Sequence, residues 1–119
     1  MASVLSGVDI VLGKDINMKF LNFTPHDIVM NDGARFMSEG VARVDGVYSA
    51  FDENGICRVD YGGIVGLPHP EEDVVYIVST VVLGVARLQG RSDVVAPATG
   101  HPDCIRKDGH VVSVPGFIR

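Results

Sequence analysis

Short apolar segments separated by turn-forming residues predict a succession of β-strands in the first half of the chain. Phe20–Phe23 and His26–Met30 are two such segments, and Thr24-Pro25 separates them, because a proline biases the residue before it toward extended geometry. Asn31-Asp32-Gly33 has the composition of a tight hairpin turn, which makes Arg35–Ser38 the partner of the second strand. The pattern therefore predicts a strand, a polar bend and a β-hairpin.

Two alternating segments predict strands that are buried on one face only. Gly40–Val44 and Ile56–Tyr61 alternate apolar and polar residues, and the turn residues Asp52–Gly55 lie between them. Glycine weakens a strand interior, so Gly62-Gly63 is predicted to end the second of these strands.

A continuous apolar segment followed by a capping residue predicts a buried strand and then a helix. Val74–Val78 is rich in β-branched residues, as in strands that are covered on both faces. Ser79 is a good N-cap, Thr80–Gln89 is predicted to be helical, and Gly90 suits the position after the helix. Apolar residues surround this helix almost completely, which indicates a buried element or one at an oligomer interface.

The last third of the chain predicts a polar loop and a second hairpin. Arg91–Pro102 is crowded with polar and turn residues, and such loops between rigid elements often carry binding groups. Lys107–His110 then predicts a turn between strands over Asp103–Arg106 and Val111–Val114.

Together these elements predict an α+β, β-rich fold. It comprises a small, mostly antiparallel sheet or a partly open barrel, with one buried helix at about residues 80–89. Met18-Lys19 has the character of a natural second start, so residues 1–17 form an N-terminal extension or an extra strand, and residues 18–119 a single β-rich domain.

Composition narrows the possible partners. The chain has 119 residues, of which 46% are hydrophobic and 21% charged, as expected of one soluble domain. Its net charge of −5 argues against polynucleotides and anionic membranes, whereas one or two well-placed arginines are enough to bind a small anion. The cysteines and histidines lack metal-ligand spacing, so no metal or cofactor is predicted. In the absence of a leader or an apolar span, a cytoplasmic location is expected.

The bend at Thr24-Pro25-His26-Asp27 is the first candidate site. An imidazole beside a carboxylate can act as a general base, but Thr24 and Asp27 can equally hydrogen-bond the turn backbone while His26 packs. Ser79-Thr80 is the second candidate, because a helix N-terminus attracts anions; plain capping is the alternative.

The loop after the helix is the third candidate. Arg91 and Asp93 form either an ion pair that fixes the loop or a clamp for an anion and a ribose or amine. Ala96–Pro102 has the small, rigid residues of a pocket wall or a subunit contact. No catalytic residue is assigned. The predicted ligand-binding residues are Thr24, His26, Ser79, Thr80, Arg91, Asp93, Thr99, His101 and Arg106.

Several short motifs occur in order along the chain: Leu21–His26, Val41–Val44, Gly63–Pro70, Tyr76–Ser79, Arg91–Asp93 with Pro97, and Ile105–Gly109. In this order they resemble a widespread group of small proteins of unknown function from bacteriophages, prophages and some bacteria. The resemblance covers roughly residues 19–117, and the group usually lacks the stretch 1–17. It implies a phage-type protein but no activity.

Three functions are compatible with these observations. The first is a non-enzymatic protein that binds a small anionic or nucleotide ligand in an inter-subunit pocket of a homo-oligomer and sequesters a host defence signal, by analogy with other small phage proteins. It needs an arginine (Arg87, Arg91 or Arg106) to face that pocket, with Tyr61 or Tyr76 available for stacking. The second is a hydrolase or transferase that uses His26 with Asp27 or Asp93. The third is a virion or assembly accessory protein. The first is the main hypothesis.

Overall fold

The computed structural model describes residues 4–5, 8–12 and 16–119. The predicted β-rich α+β class, with mostly antiparallel pairing and one helix, is confirmed. Over the described ranges the strands form open sheets, the first of the two predicted arrangements. The elements are β1 (Val4–Leu5), β2 (Val8–Leu12), β3 (Ile16–Asn22), β4 (Ile28–Val29), β5 (Arg35–Phe36), β6 (Arg43–Tyr48), β7 (Val59–Val65), β8 (Val74–Ile77), α1 (Thr80–Leu88), β9 (Val94–Pro97), β10 (Ile105–Lys107), β11 (His110–Ser113) and β12 (Phe117–Ile118).

A five-stranded sheet with the order β12-β9-β8-β3-β2 organises the molecule. Its three inner strands, β3, β8 and β9, run parallel, while β2 and β12 flank them in antiparallel orientation. Parallel neighbours need a crossover connection, and α1 provides it between β8 and β9. The carboxyl ends of the three inner strands therefore lie at the same edge of the sheet.

Strand β8 is the centre of the core, as its sequence predicts. All four of its residues are buried, because the sheet is covered on both faces. On one face Val78, Val94 and Ala96 pack against the inner side of α1, and on the other Val75 and Ile77 pack in a separate cluster.

Helix α1 is found where it is predicted, ending one residue earlier. Ser79 Oγ accepts a hydrogen bond from the amide of Val82 at 3.4 Å, and Gly90 adopts a positive φ of 78° just after the helix. One side of the helix is buried against the sheet, whereas Val81 and Leu88 on the other side are 53% and 89% exposed.

The hairpin turns are also found where the sequence predicts them. Gly33 has a positive φ of 94° in the turn between β4 and β5. Asp108 and Gly109, with φ of 53° and 79°, form the turn between β10 and β11. A bridge between Met30 and Val114 brings the second hairpin beside the first.

The prediction that Gly62-Gly63 ends a strand is wrong. Strand β7 continues through both glycines to Val65 and pairs with β6. Both glycines are exposed, so no core packing is lost by the absence of side chains, and the ladder to β6 provides the backbone hydrogen bonds.

The loop prediction for Arg91–Pro102 is wrong over Val94–Pro97, which form the inner strand β9. Its apolar run is only three residues long before Pro97, too short to show a period by itself. The strand exists because the sheet buries Val94, Val95 and Ala96 completely or nearly so.

The first residues of the chain add strands at two places. Strand β2 pairs with β3 in antiparallel orientation, and β1 pairs with β5 in parallel. Residues 16–17 begin β3, and residues 1–3, 6–7 and 13–15 lie outside the described residues. The division between 1–17 and 18–119 stays a prediction. Within the described ranges, no helix is long and apolar enough to cross a membrane.

Candidate functional site

A cleft of about 390 Å³ lies at the carboxyl ends of β3, β8 and β9. This edge is where ligands commonly bind to sheets with parallel strands, because the loops that leave neighbouring strands converge there. The loop after β3, the start of α1 after β8 and the residues after β9 all contribute. Five of the nine predicted ligand-binding residues line this cleft: Thr24, His26, Ser79, Thr80 and Thr99.

Asn22, at the end of β3, fixes the loop that carries Thr24 and His26. Its side chain is completely buried, and its Nδ2 donates to the carbonyl oxygens of His26 (2.8 Å) and Phe36 (3.0 Å). Its Oδ1 accepts from the Thr24 amide at 2.9 Å and lies 2.7 Å from the Thr24 hydroxyl. Every hydrogen-bonding group of this amide is therefore paired inside the protein.

Asp27 and Ser38 hold the same loop from its outer side. Asp27 Oδ1 accepts from the Ser38 amide at 2.9 Å, and the Ser38 hydroxyl donates to the Thr24 carbonyl oxygen at 2.7 Å. The Thr24 hydroxyl lies 2.9 Å from the His26 carbonyl oxygen and so binds the bend itself, whereas Asp27 ties the bend to Ser38; the His26 side chain is exposed at the cleft.

The N-terminus of α1 forms the second side of the cleft. Ser79 and Thr80 are exposed there, and the first-turn amides of a helix have no acceptor within the helix. These N–H groups and the positive end of the helix dipole favour a negatively charged group. Capping and anion attraction are compatible, because Ser79 Oγ binds the Val82 amide only.

An apolar wall that the sequence pattern does not assign to a site completes the cleft. Val111, Val112 and Val114 come from β11 and its end, and Pro97 ends β9. Their strand was predicted, but its position beside the loop after β3 depends on the bridge from Met30 to Val114. No local signal in the sequence indicates that contact.

His101 lies in a neighbouring cleft of about 560 Å³. Its Nδ1 accepts from the Asp103 amide at 3.0 Å, and the Asp103 carboxylate lies 4.0 Å away. Arg106 is close by, since its guanidinium donates to the Thr99 carbonyl oxygen, 2.6 Å away, but it lines neither cleft.

Arg91 and Asp93 lie away from both clefts, before the amino end of β9. Arg91 Nε and Nη2 donate to the two carboxylate oxygens of Asp93 at 2.8 and 2.9 Å, and Nη2 also donates to the Pro68 carbonyl oxygen. The guanidinium lies 6.0 Å from the ring centre of Tyr76. Its hydrogen bonds lower the pKa of Asp93. This is the geometry of the ion pair that fixes the loop.

The described part of the chain holds no group of three or more histidine, cysteine or acidic side chains able to bind a metal ion. Both cysteines are free thiols and half-buried. Comparisons with protein-family models, curated proteins and solved structures found no match to this chain. The interpretation of the cleft therefore rests on its own chemistry.

Proposed function

We propose that the protein binds a small anionic, nucleotide-like ligand in the cleft at the carboxyl ends of β3, β8 and β9, without turning it over. The observation that carries this proposal is the convergence of His26, a set of hydroxyl groups and the α1 N-terminus in one cleft. The cleft volume of about 390 Å³ lies in the range of small-molecule sites.

The two halves of the cleft suit the two parts of a nucleotide. A phosphate fits the exposed amides at the start of α1, with the Ser79 and Thr80 hydroxyls and the His26 imidazole as further donors. A base or sugar fits the apolar wall at Val111 and Val112. Arg87, Arg91 and Arg106 do not line this cleft, and no other arginine does among the described residues, so the charge of the phosphate is met there by backbone dipoles and neutral donors rather than by a guanidinium clamp.

A thermal-melt panel tests this proposal. The purified protein is heated with cyclic dinucleotides, cyclic ADP-ribose isomers, NAD, ADP-ribose and mononucleotides. Ligand at a hundredfold excess over Kd stabilises the folded state by about 2.7 kcal/mol, which raises Tm by several degrees. The His26→Asn variant should lose most of this shift. The control, His69→Asn, changes an exposed histidine outside the cleft and should keep it. If no compound in the panel raises Tm, the nucleotide proposal is wrong.

Sequestration of a host signal in the host cytoplasm extends this proposal, and it would involve a homo-oligomer. A groove of about 540 Å³ along the outward face of α1 supports the oligomer, because Tyr61, Val81 and Leu88 line it with exposed apolar surface. Exposed apolar patches of this kind mark protein contacts.

A hydrolase or transferase is the second candidate, because His26 lines the same cleft as the Ser79 and Thr80 hydroxyls. Binding without turnover is favoured because the Asp27 carboxylate accepts from the Ser38 amide and holds the loop. Chromatography of each compound that shifts Tm, after overnight incubation, separates the two functions. Unchanged ligand is expected; a product that forms with wild type and not with His26→Asn would establish the enzyme.

A further inference from the structure

The cleft at the carboxyl ends of β3, β8 and β9 is continuous with the cleft that contains His101. Thr80, Pro97 and Thr99 line both, so these three residues form a shared ridge between two lobes. The first lobe has about 390 Å³ and the second about 560 Å³, and each by itself is within the range of a small-molecule site. A ligand that occupies only one lobe leaves the other to water.

The second lobe is formed by a short turn whose backbone is hydrogen-bonded. The Ala98 amide donates to the Gly116 carbonyl oxygen at 2.9 Å, and the Cys104 amide donates to the His101 carbonyl oxygen at 3.0 Å. Since these bonds fix the turn, the lobe exists before any ligand arrives, which reduces the entropic cost of binding.

Each lobe contains one exposed imidazole. His26 lines the first and His101 the second. His101 Nδ1 already accepts from the Asp103 amide, which leaves Nε2 to face a ligand as an N–H donor.

A guanidinium lies beside Thr99, which lines both lobes, although Arg106 itself lines neither. Arg106 uses one N–H group on the Thr99 carbonyl oxygen, and its side chain is otherwise exposed, so further donors remain for an anionic group. The Asp103 carboxylate lies 4.0 Å from His101 Nδ1, so a negative charge also lies beside the second lobe. His101 is therefore the second lobe's own donor, separate from the donors at the start of α1, and Arg106 lies beside Thr99 between the two lobes.

We infer that the ligand is a linked dinucleotide, with one nucleotide unit in each lobe and the linkage across the ridge at Thr80, Pro97 and Thr99. This inference rests on the proposed function and specifies its ligand class. A mononucleotide fills one lobe and makes no contact with the other, so it binds more weakly than the linked dinucleotide.

Isothermal titration calorimetry with three probes tests the inference: NAD, cyclic di-AMP and AMP. At least one of the two dinucleotides should bind wild type at least tenfold more tightly than AMP. His101→Asn should raise the Kd of that dinucleotide at least fivefold and change the Kd of AMP by less than twofold. His26→Asn should raise both Kd values. His69→Asn is the matched control and should change neither.

The outcomes separate this inference from the proposed function. If AMP binds as tightly as both dinucleotides, or if His101→Asn has no effect on the tighter dinucleotide, the second lobe is not a subsite, while nucleotide binding in the first lobe stands. If none of the three probes binds at millimolar concentration, both the inference and the nucleotide proposal are overturned.

Discussion

Asn22 shows how a single buried side chain can position a binding loop. It connects the end of β3 to the backbone of Thr24, His26 and Phe36 through all of its polar atoms. Buried amides are tolerated only when they are paired in this way. The position of His26 at the cleft therefore depends on a residue that need not touch the ligand.

Replacing Asn22 by alanine should destabilise the protein by about 3 kcal/mol or more, since it leaves buried backbone groups without partners and opens a cavity. Urea unfolding followed by circular dichroism measures this loss. Asn54→Ala, at an exposed turn position, is the control and should stay within about 0.5 kcal/mol of wild type. Equal effects of the two substitutions would contradict the role given to Asn22.

The role of Asn22 could not be predicted from sequence, although parts of the loop could. The turn-binding alternative holds for Thr24, whose hydroxyl lies 2.9 Å from the His26 carbonyl oxygen, because a short side chain reaches the local backbone. It is wrong for Asp27, which accepts instead from the Ser38 amide eleven residues away, and for His26, which is exposed rather than packed. Asn22 also binds Phe36, fourteen residues away, and that contact exists only once the β4–β5 hairpin has docked. Its burial is a tertiary property that no window of sequence contains.

At the scale of elements, the outward face of α1 carries a glycine that no contact within the described chain requires. Gly84 lies in the middle of the helix, and a Cβ atom there would meet nothing within 4 Å. Gly84→Ala should therefore raise the free energy of unfolding by about 0.5–1 kcal/mol in the monomer, because alanine loses less backbone entropy in a helix.

Thermal or urea unfolding at low protein concentration measures this gain. The control is Gly90→Ala, which should instead destabilise by about 1 kcal/mol, since Gly90 has a φ of 78° that alanine adopts poorly. If Gly84→Ala were destabilising at every concentration, the outward face would be covered within the folded protein.

The Arg91–Asp93 pair joins β9 to the segment before β8, because Arg91 also binds the Pro68 carbonyl oxygen. Hydrogen bonds from Arg91 hold the pKa of Asp93 below its usual value. A carboxyl whose pKa is lower in the folded state stabilises the protein above its unfolded pKa, about 3.9. That contribution is lost as the pH falls through the folded pKa.

Wild type should therefore exceed Asp93→Asn in stability by about 1–3 kcal/mol at pH 7, and the difference should narrow steadily below about pH 3.9. Urea melts of both proteins at a series of pH values between 7 and 2 provide the comparison. A difference that stays constant over this range would mean that the Asp93 carboxylate does not stabilise the fold.

Elements with strong local signals were predictable, and those defined by their neighbours were not. Val74–Val78 is predictable from its continuous run of apolar residues, and the helix after it from its cap residues. Strand β9 has only Val94–Ala96 as an apolar run, and the apolar wall at Val111 depends on which hairpin packs beside it. The parallel pairing of β3 with β8 likewise depends on contacts between segments more than fifty residues apart.

The whole molecule is more extended than its length requires. Its radius of gyration is 16.3 Å, against about 13–14 Å for a compact chain of this size. The β6–β7 hairpin contributes to this shape, because Val47, Tyr48 and Phe51 are each at least 70% exposed. A two-stranded hairpin with so much exposed apolar surface is marginal in water, so its exposure supports self-association.

Leu88→Glu should shift the oligomer that we propose toward monomer, since it places a charge in the groove on the outward face of α1. Sedimentation velocity over a hundredfold range of protein concentration measures the shift. Ile105→Glu changes an exposed apolar residue outside that groove and should leave the distribution unchanged. Wild type that sediments as a monomer throughout would contradict the oligomer.

The separation of β3 from β8 along the chain has a consequence for synthesis on the ribosome. Strand β3 ends at Asn22, but its parallel partner begins only at Val74, and β9 and β11 emerge later still. Long-range parallel pairing is slow, and an unpaired strand edge attracts other chains until it is covered. The edge of β3 that pairs with β8 therefore stays unpaired until some fifty further residues have been synthesised, and the cleft at the carboxyl ends of β3, β8 and β9 can form only after its wall at Val111–Val114 has been made.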